Sequence, residues 1–284
     1  MLPAAIFKTV SAAMPELAVL TFPNIDPVIF SIGPFAVRWY AMAYIAGLLF
    51  AQWYMKRLVT NPRLWAGAKP AMTPQQIDKF FIWSMLGVVL GGRLGYVLFY
   101  NPLHYLQNPG DILRVWDGGM SFHGGFLGVV VACLLFGRRI GTSLDRMLDL
   151  GAASVPVGLG LGRLANFING ELYGRATDLP WAFVFPADLQ QVPRHPSQLY
   201  EAALEGLLLF VAVRIATHRF GALAHPGRAS GIFALGYGLS RIAVELAREP
   251  DPHLGYFAGF ITMGMILSLP LCVIGIWLLA RSRA

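Results

Sequence analysis

The stretch GLGLGRLANFINGELYGR (residues 158–175) guides the interpretation of the whole chain. It begins as an apolar, glycine-spaced segment of the kind that packs helices inside a membrane. Arg163, Asn166, Asn169 and Glu171 then follow within nine residues of one another. An arginine in hydrocarbon is costly unless it is paired or functional. The stretch therefore predicts a membrane helix that carries part of a polar site.

The composition supports a membrane protein. Of 284 residues, 56% are hydrophobic and 13% are charged, whereas soluble domains carry about 25% charged residues. Apolar runs of about 20 residues, enough to span a bilayer, occur at 36–55, 80–100, 120–137, 148–168, 198–217, 229–247 and 260–280. The prediction is an all-α integral membrane protein: one bundle of seven transmembrane helices over residues 1–284. Two segments lie outside the bundle, an N-terminal arm (1–35) and a small head region (about 169–197).

The first 20 residues faintly resemble a signal peptide, with Lys8 followed by small residues. Pro3, Pro15 and Glu16 interrupt any apolar core that a signal peptide would need. This segment is therefore interpreted as an amphipathic part of the arm that is retained.

The basic residues predict the orientation, because cytoplasmic loops retain Lys and Arg. Thirteen lie in the loops after the first, third and fifth spans and at the C-terminus, and six lie on the other side. The N-terminus is therefore expected on the outer side of the membrane and the C-terminus in the cytoplasm. This topology accounts for most of the net charge of +7, and with no basic-aromatic motif the sequence predicts no nucleic-acid partner.

The sequence gives no signal for several kinds of chemistry. Cys133 and Cys272 are isolated in apolar spans, without a CxxC pair or a nearby histidine at ligand spacing, so both are interpreted as packing residues. Zinc-protease, serine-hydrolase and nucleotide-binding motifs do not occur. We therefore expect no metal and no cofactor.

Three arginines remain inside the predicted spans: Arg93, Arg163 and Arg241. With the predicted orientation, all three lie in the outer half of the bilayer. Other polar residues fall at the same depth, namely Tyr40, His123, Glu201, Glu205 and a helical stripe of Tyr237, Arg241, Glu245 and Arg248. Guanidinium groups present a planar donor fork that suits phosphate. The sequence thus predicts a cavity in the outer leaflet that binds a phospholipid.

Each of these residues has a simpler structural interpretation. Arg241 and Glu245 could be a pair that only orients a helix. Arg93 lies in GVVLGGRLGY, where glycines every four residues allow close helix contact, and could pair with Glu201 or Glu205. Tyr40 lies beside a tryptophan and could belong to an interfacial aromatic belt.

His123 lies in WDGGMSFHGGFLG, where glycines leave room for a ligand and Ser121 could cap the following helix. A helix N-terminus attracts anions, and histidine is the usual general base near neutral pH. His123 is therefore a candidate base, with a hydrogen-bonded structural histidine as the alternative.

GRLANFINGELYG (residues 162–174) resembles the signature of the prolipoprotein diacylglyceryl transferase family. FPNIDPVIFSIGPFAVRWY, GGRLGYVLFYN, RVWDGGMSFHGG, RHPSQLYE and GYGLSRIAVELAREPD are similar to further stretches of that family and cover nearly the whole chain. The resemblance implies a seven-helix bacterial inner-membrane enzyme whose active cavity opens toward the periplasm, the side of the N-terminus and the periplasmic head region. Its implied activity is transfer of the diacylglyceryl group of phosphatidylglycerol to the lipobox cysteine of a preprolipoprotein, which leaves a thioether and glycerol phosphate.

The resemblance also implies roles for particular residues. Arg163 and Arg241 match the essential arginines of the family, and His123 matches its histidine. Signature or functional positions are matched by Tyr40, Asn166, Glu171, Gly174, Tyr237, Glu245 and Arg248. Of these, Arg163, Asn166, Glu171, Gly174, Tyr237, Arg241, Glu245 and Arg248 are expected to bind phosphatidylglycerol, and His123, Arg163, Arg241 and Tyr40 are expected to be catalytic. The implied partners are phosphatidylglycerol, the preprolipoprotein lipobox segment and membrane lipids.

A transporter for an anionic lipid or solute is the alternative function. Transporters usually show an internal repeat and binding sites at the bilayer midplane. Seven spans with their polar residues confined to the outer half show neither feature, so the sequence favours an enzyme.

Overall fold

A computed structural model describes residues 20–23, 25–250, 256–257 and 259–282. The interpretation of the first 20 residues falls almost entirely outside these ranges. The longer helices, numbered with the short helix α3 (Pro102–Gln107) in chain order, are α1 (Trp39–Val59), α2 (Pro74–Phe99), α4 (Phe122–Ile140), α5 (Leu144–Ile168), α7 (Leu209–Arg219), α8 (Arg228–Glu245) and α9 (Met263–Arg281). A short α6 (Ser197–Glu201) continues into α7 through a π-helical segment, Ala202–Leu208.

The described residues are mostly helical, as predicted for a membrane protein. Each of the seven predicted apolar runs overlaps one of the longer helices. Three helices, α2, α4 and α9, are long and apolar enough by themselves to cross a membrane. Large apolar side chains such as Phe99 and Phe122 are more than 80% exposed, as expected for a surface that faces lipid.

Glycines set the closest helix contacts. A Cβ atom on Gly95 would lie 2.8 Å from the Cα atom of Gly124, and one on Gly91 would lie 2.8 Å from that of Gly128. The backbones of α2 and α4 therefore touch, which confirms the close contact predicted from the glycine spacing. Gly206 in the π-helical segment is equally close to Gly160 of α5.

The apolar core lies at one end of the bundle. Its fully buried members include Leu58, Trp65, Ile77, Met147 and Leu150, from the end of α1, the following loop and the starts of α2 and α5. The chain enters α2 there through a capping box, in which Thr73 and Gln76 each bond the other's backbone N–H. The polar residues singled out in the sequence lie toward the opposite helix ends.

The structure also contains short strands, which the all-α prediction did not include. Strand β1 (Val28–Ile32) pairs with β2 (Phe35–Arg38) as an antiparallel hairpin, and β3 (Phe183–Val184) pairs with β4 (Pro193–Arg194). The first helix consequently begins at Trp39, later than the predicted residue 36. Gly33, with a φ angle of 58°, allows the tight turn of the hairpin, which keeps residues 35–38 extended.

Candidate functional site

Glu201 connects Arg163 with Arg241. Its Oε1 accepts a hydrogen bond from Arg241 Nη1 and another, of 3.1 Å, from Arg248 Nη1. Its Oε2 lies 3.3 Å from Arg163 Nε. Two further carboxylates complete the arrangement: Glu205 lies 3.6 Å from Arg163, and Glu245 lies 2.5 Å from Arg241. We call Arg163, Glu201, Glu205, Arg241, Glu245 and Arg248 the arginine–glutamate cluster.

The carboxylates of the cluster are more deeply buried than its guanidiniums. The side chains of Glu201 and Glu205 have no exposed surface, whereas 21% of Arg163 and 15% of Arg241 remain exposed. The carboxylates lie against the arginines and offset their charge, which allows the arginines to lie inside the protein. The N–H groups of the arginines are therefore the part of the cluster within reach of an anionic ligand.

The π-helical segment starts immediately after Glu201 and contains Glu205. Widened helical turns of this kind are rare and frequently occur at functional sites. Gly206 has no side chain, so this segment can lie directly against α5 at Gly160. That contact brings both glutamates within reach of Arg163, three residues further along α5.

The predicted pairing of Arg93 with Glu201 or Glu205 is wrong. Arg93 donates hydrogen bonds to the backbone oxygens of Asp111, Ile112, Gly118 and Gly119, at distances between 2.5 and 3.1 Å. Its guanidinium also lies over the ring of Tyr105. Its N–H groups are bonded to backbone carbonyls of the loop between α2 and α4. Other arginines form the ion pairs with the two glutamates.

The signature residues form a second network beside the cluster. Asn166 and Asn169 donate hydrogen bonds of 2.8 and 3.2 Å to Glu171 Oε1. Ser197 Oγ and Gln198 Nε2, from the first turn of α6, donate to the backbone oxygens of Leu172 and Glu171. Sequence reasoning did not single out Ser197 and Gln198, although both belong to RHPSQLYE.

Gly174 and Arg175 fix the end of α8. Gly174 N donates to His195 O at 2.8 Å, and a Cβ atom there would collide with Ala247 and His195. Arg175 donates hydrogen bonds of 2.8 Å to the backbone oxygens of Glu245 and Arg248. These contacts hold the chain beyond α8 where Arg248 reaches Glu201. The sequence analysis assigned no role to Arg175.

Asp188 and Arg194 organise the region that the sequence assigned to the head. Arg194 donates to both carboxylate oxygens of Asp188, at 2.6 and 3.1 Å. This hydrogen bonding lowers the pKa of Asp188. Burial lowers the pKa of the nearby His195, and the charge of Arg175 adds to the effect. Near neutral pH, Asp188 is therefore charged and His195 is neutral.

The candidates Tyr40, Tyr237 and His123 differ in their burial and in their contacts. Tyr40 is half-buried, and its hydroxyl lies 3.3 Å from that of Tyr44, a residue that sequence reasoning missed. Tyr237 is half-buried on α8, one turn before Arg241. His123 is exposed at the start of α4, where Ser121 caps the helix as predicted. Among the described residues, His123 has no hydrogen bond or ion pair with the cluster.

The fold and the cluster define a class: helical membrane proteins with arginines held by buried carboxylates toward one end of the bundle. A family model described as "Prolipoprotein diacylglyceryl transferase" matches residues 27–281. The chain is 56% identical to the "Phosphatidylglycerol--prolipoprotein diacylglyceryl transferase" of Brucella anthropi, over 93% of this chain and 94% of the relative. Relatives with the same name from Brucella canis and Brucella ovis are 55% identical over the same shares. The chain belongs to the prolipoprotein diacylglyceryl transferase family, and the resemblance inferred from its motifs is confirmed.

Proposed function

We propose that the arginine–glutamate cluster is the site at which this transferase moves the diacylglyceryl group of phosphatidylglycerol to the lipobox cysteine of a preprolipoprotein. The names of the relatives support this transfer and do not favour a transporter. The single observation that carries the assignment to the cluster is the joint binding of Arg163, Arg241 and Arg248 to Glu201. No other kind of membrane-resident group fits several guanidinium forks as well as a phosphate.

The reaction explains the need for these arginines. The bond between the phosphate oxygen and the glyceryl carbon breaks, and a bond between that carbon and the cysteine sulfur forms. Negative charge builds up on the departing glycerol phosphate. Fixed guanidiniums in a site shielded from water stabilise this charge more in the transition state than in the ground state. The substrate protein supplies the thiol nucleophile, so the enzyme needs no catalytic cysteine of its own.

Arg163 and Arg241 hold the lipid phosphate in this proposal. Arg248 and Glu245 keep Arg241 oriented, and Tyr237 borders the same stripe of α8. The signature residues Asn166, Glu171 and Gly174 shape the site between α5 and α6. The hydrogen bond from Asn166 to Glu171 and the backbone pairing of Gly174 with Arg248 support these roles.

The thiol must lose a proton before it attacks. His123 is our candidate for the group that accepts it, and Tyr40 is the second candidate. Both lie at the start of a helix, near the level that the sequence assigns to the outer leaflet. His123 is exposed, so an incoming substrate peptide can reach it. Its rival role is to help hold the phosphate in its protonated form.

The seven helical segments are proposed to cross the bacterial inner membrane as one domain. The N-terminus and the head region (about 169–197) then face the periplasm, and the C-terminus faces the cytoplasm. The distribution of basic residues supports this orientation.

The test of the proposal uses purified protein, phosphatidylglycerol and a lipobox peptide. Thioether formation and release of glycerol phosphate are expected. Arg163→Lys and Arg241→Lys keep the charge but lose the planar fork, and each should lower turnover by roughly 10²–10³-fold, as for other charge-stabilising donors. Arg219→Lys, at an exposed position at the end of α7, is the matched control and should remain fully active. Near-normal turnover of both site variants would exclude phosphate binding by the arginine forks.

A further inference from the structure

Gln198 is a fully buried side chain with an unused hydrogen-bond acceptor. It lies in the first turn of α6 and has no exposed surface. Its Nε2 donates to the backbone oxygen of Glu171 at 2.6 Å. Its Oε1 has no hydrogen-bond partner among the residues that the structure describes. Buried amide oxygens are usually paired, and leaving one unpaired destabilises the protein.

The orientation of this amide is fixed by its partner. The backbone oxygen of Glu171 can only accept a hydrogen bond, so the NH₂ group of Gln198 must face it. A flipped amide would place two oxygens against each other. The Oε1 atom is therefore held as an acceptor on the other side of the amide, ready for a donor that a ligand provides.

Gln198 lies on the side of Glu201 away from the apolar part of the helix. It precedes Glu201 by three residues, so both lie on the same face of the helix, about 4.5 Å apart along its axis. The helix then continues from Glu201 into the apolar segment that ends at Arg219. In the proposed function, a lipid whose phosphate lies at the arginines and whose acyl chains follow the apolar part would extend its head group toward Gln198.

We infer that Gln198 Oε1 accepts a hydrogen bond from a hydroxyl group of the phosphatidylglycerol head group. This inference rests on the proposed function. The head group carries a glycerol with two hydroxyl donors, and the acceptor lies one helical turn beyond the carboxylate that holds the phosphate-binding arginines. Gln198 is then a specificity-determining residue that distinguishes a hydroxylated head group from other phosphodiester lipids.

The test compares phosphatidylglycerol with phosphatidylpropanol, which has the same phosphodiester but lacks the hydroxyl groups. For the wild type, kcat/KM should be about tenfold or more higher with phosphatidylglycerol, the effect of one hydrogen bond that is lost in a buried site. In Gln198→Met, which is similar in size, this ratio should fall to near one. Gln198→Glu in its protonated form still has an O–H donor for Glu171 O and keeps a carbonyl acceptor, so it should keep a preference for phosphatidylglycerol, even with lower turnover.

Ser197→Ala is the matched control. Ser197 is the adjacent buried residue and also donates to the loop, through Leu172 O, so its side-chain oxygen already has a hydrogen-bond partner. It should lose activity on both lipids equally and keep the wild-type ratio. If Gln198 has a purely structural role, Gln198→Met should likewise lose activity on both lipids and keep the wild-type ratio. That outcome would overturn the inference.

The wild type provides a test that does not depend on the folding of a variant. A wild-type ratio near one also overturns the inference, whatever the variants do. Binding of the two lipids, measured on the same proteins by native mass spectrometry, gives the ratio without turnover. A wild type that prefers phosphatidylglycerol in binding but forms no thioether contradicts the proposed function, and loss of that binding preference in Gln198→Met still supports the role of Gln198.

Discussion

Glu201→Gln tests whether the cluster depends on one buried carboxylate. The substitution keeps the size of the side chain and removes its charge. Three arginines contact Glu201, with distances of 3.3 Å to Arg163 and 3.1 Å to Arg248 and a short hydrogen bond to Arg241. Removing one partner of a buried ion pair typically costs about 3–5 kcal/mol, because the remaining charge is left uncompensated. We expect a loss of this size in the free energy of unfolding.

Glu205→Gln is the matched control for this experiment. Glu205 is as deeply buried as Glu201, but its ion pair is a single 3.6 Å contact with Arg163. Its loss should therefore be clearly smaller. Unfolding of each purified protein in mixed micelles with increasing SDS, followed by tryptophan fluorescence, measures both values. If Glu201→Gln costs less than about 1 kcal/mol, or less than Glu205→Gln, the cluster does not depend on Glu201 and the reasoning from burial is wrong.

Three further predictions follow from the contacts. Arg93→Ala removes four hydrogen bonds to backbone carbonyls and should lower the yield of folded protein and its thermal midpoint; an effect no larger than that of Arg114→Ala, on the exposed part of the same loop, would contradict a structural role. His123→Gln should lose about 10²–10⁴-fold in turnover near neutral pH and recover as rising pH forms thiolate unaided; a loss that alkaline pH does not repair would remove the base assignment. Hydrogen bonds from Arg194 lower the pKa of Asp188 below its ordinary value of 3.8, so its stabilising effect is present above that value and is lost as pH falls through the folded-state pKa. Thermal midpoints from pH 7 to pH 3 should therefore fall more steeply for the wild type than for Asp188→Asn, and parallel curves would exclude this linkage.

The sequence by itself determined the class of the protein and predicted candidate residues for its site. Apolar runs of bilayer length and few charges predict membrane helices, because these properties belong to each segment alone. The glycine spacing around Gly91 and Gly95 predicted a close helix contact, because that spacing is also a property of one segment alone. The cost of an arginine in hydrocarbon marked Arg163 and Arg241 as site residues, and the long signature identified the family.

Only the tertiary structure decided which charges meet. Arg93 and Arg163 have the same local chemistry and the same predicted depth, so no sequence rule could assign the glutamates to one of them. The helix packing assigns them to Arg163, because the contact of Gly160 with Gly206 brings Glu201 and Glu205 to that residue. The roles of Arg175 and Gln198 depend in the same way on backbone oxygens far away in the chain. A hydrogen bond to a backbone carbonyl requires no particular residue type at the acceptor, so it leaves no pattern in the sequence.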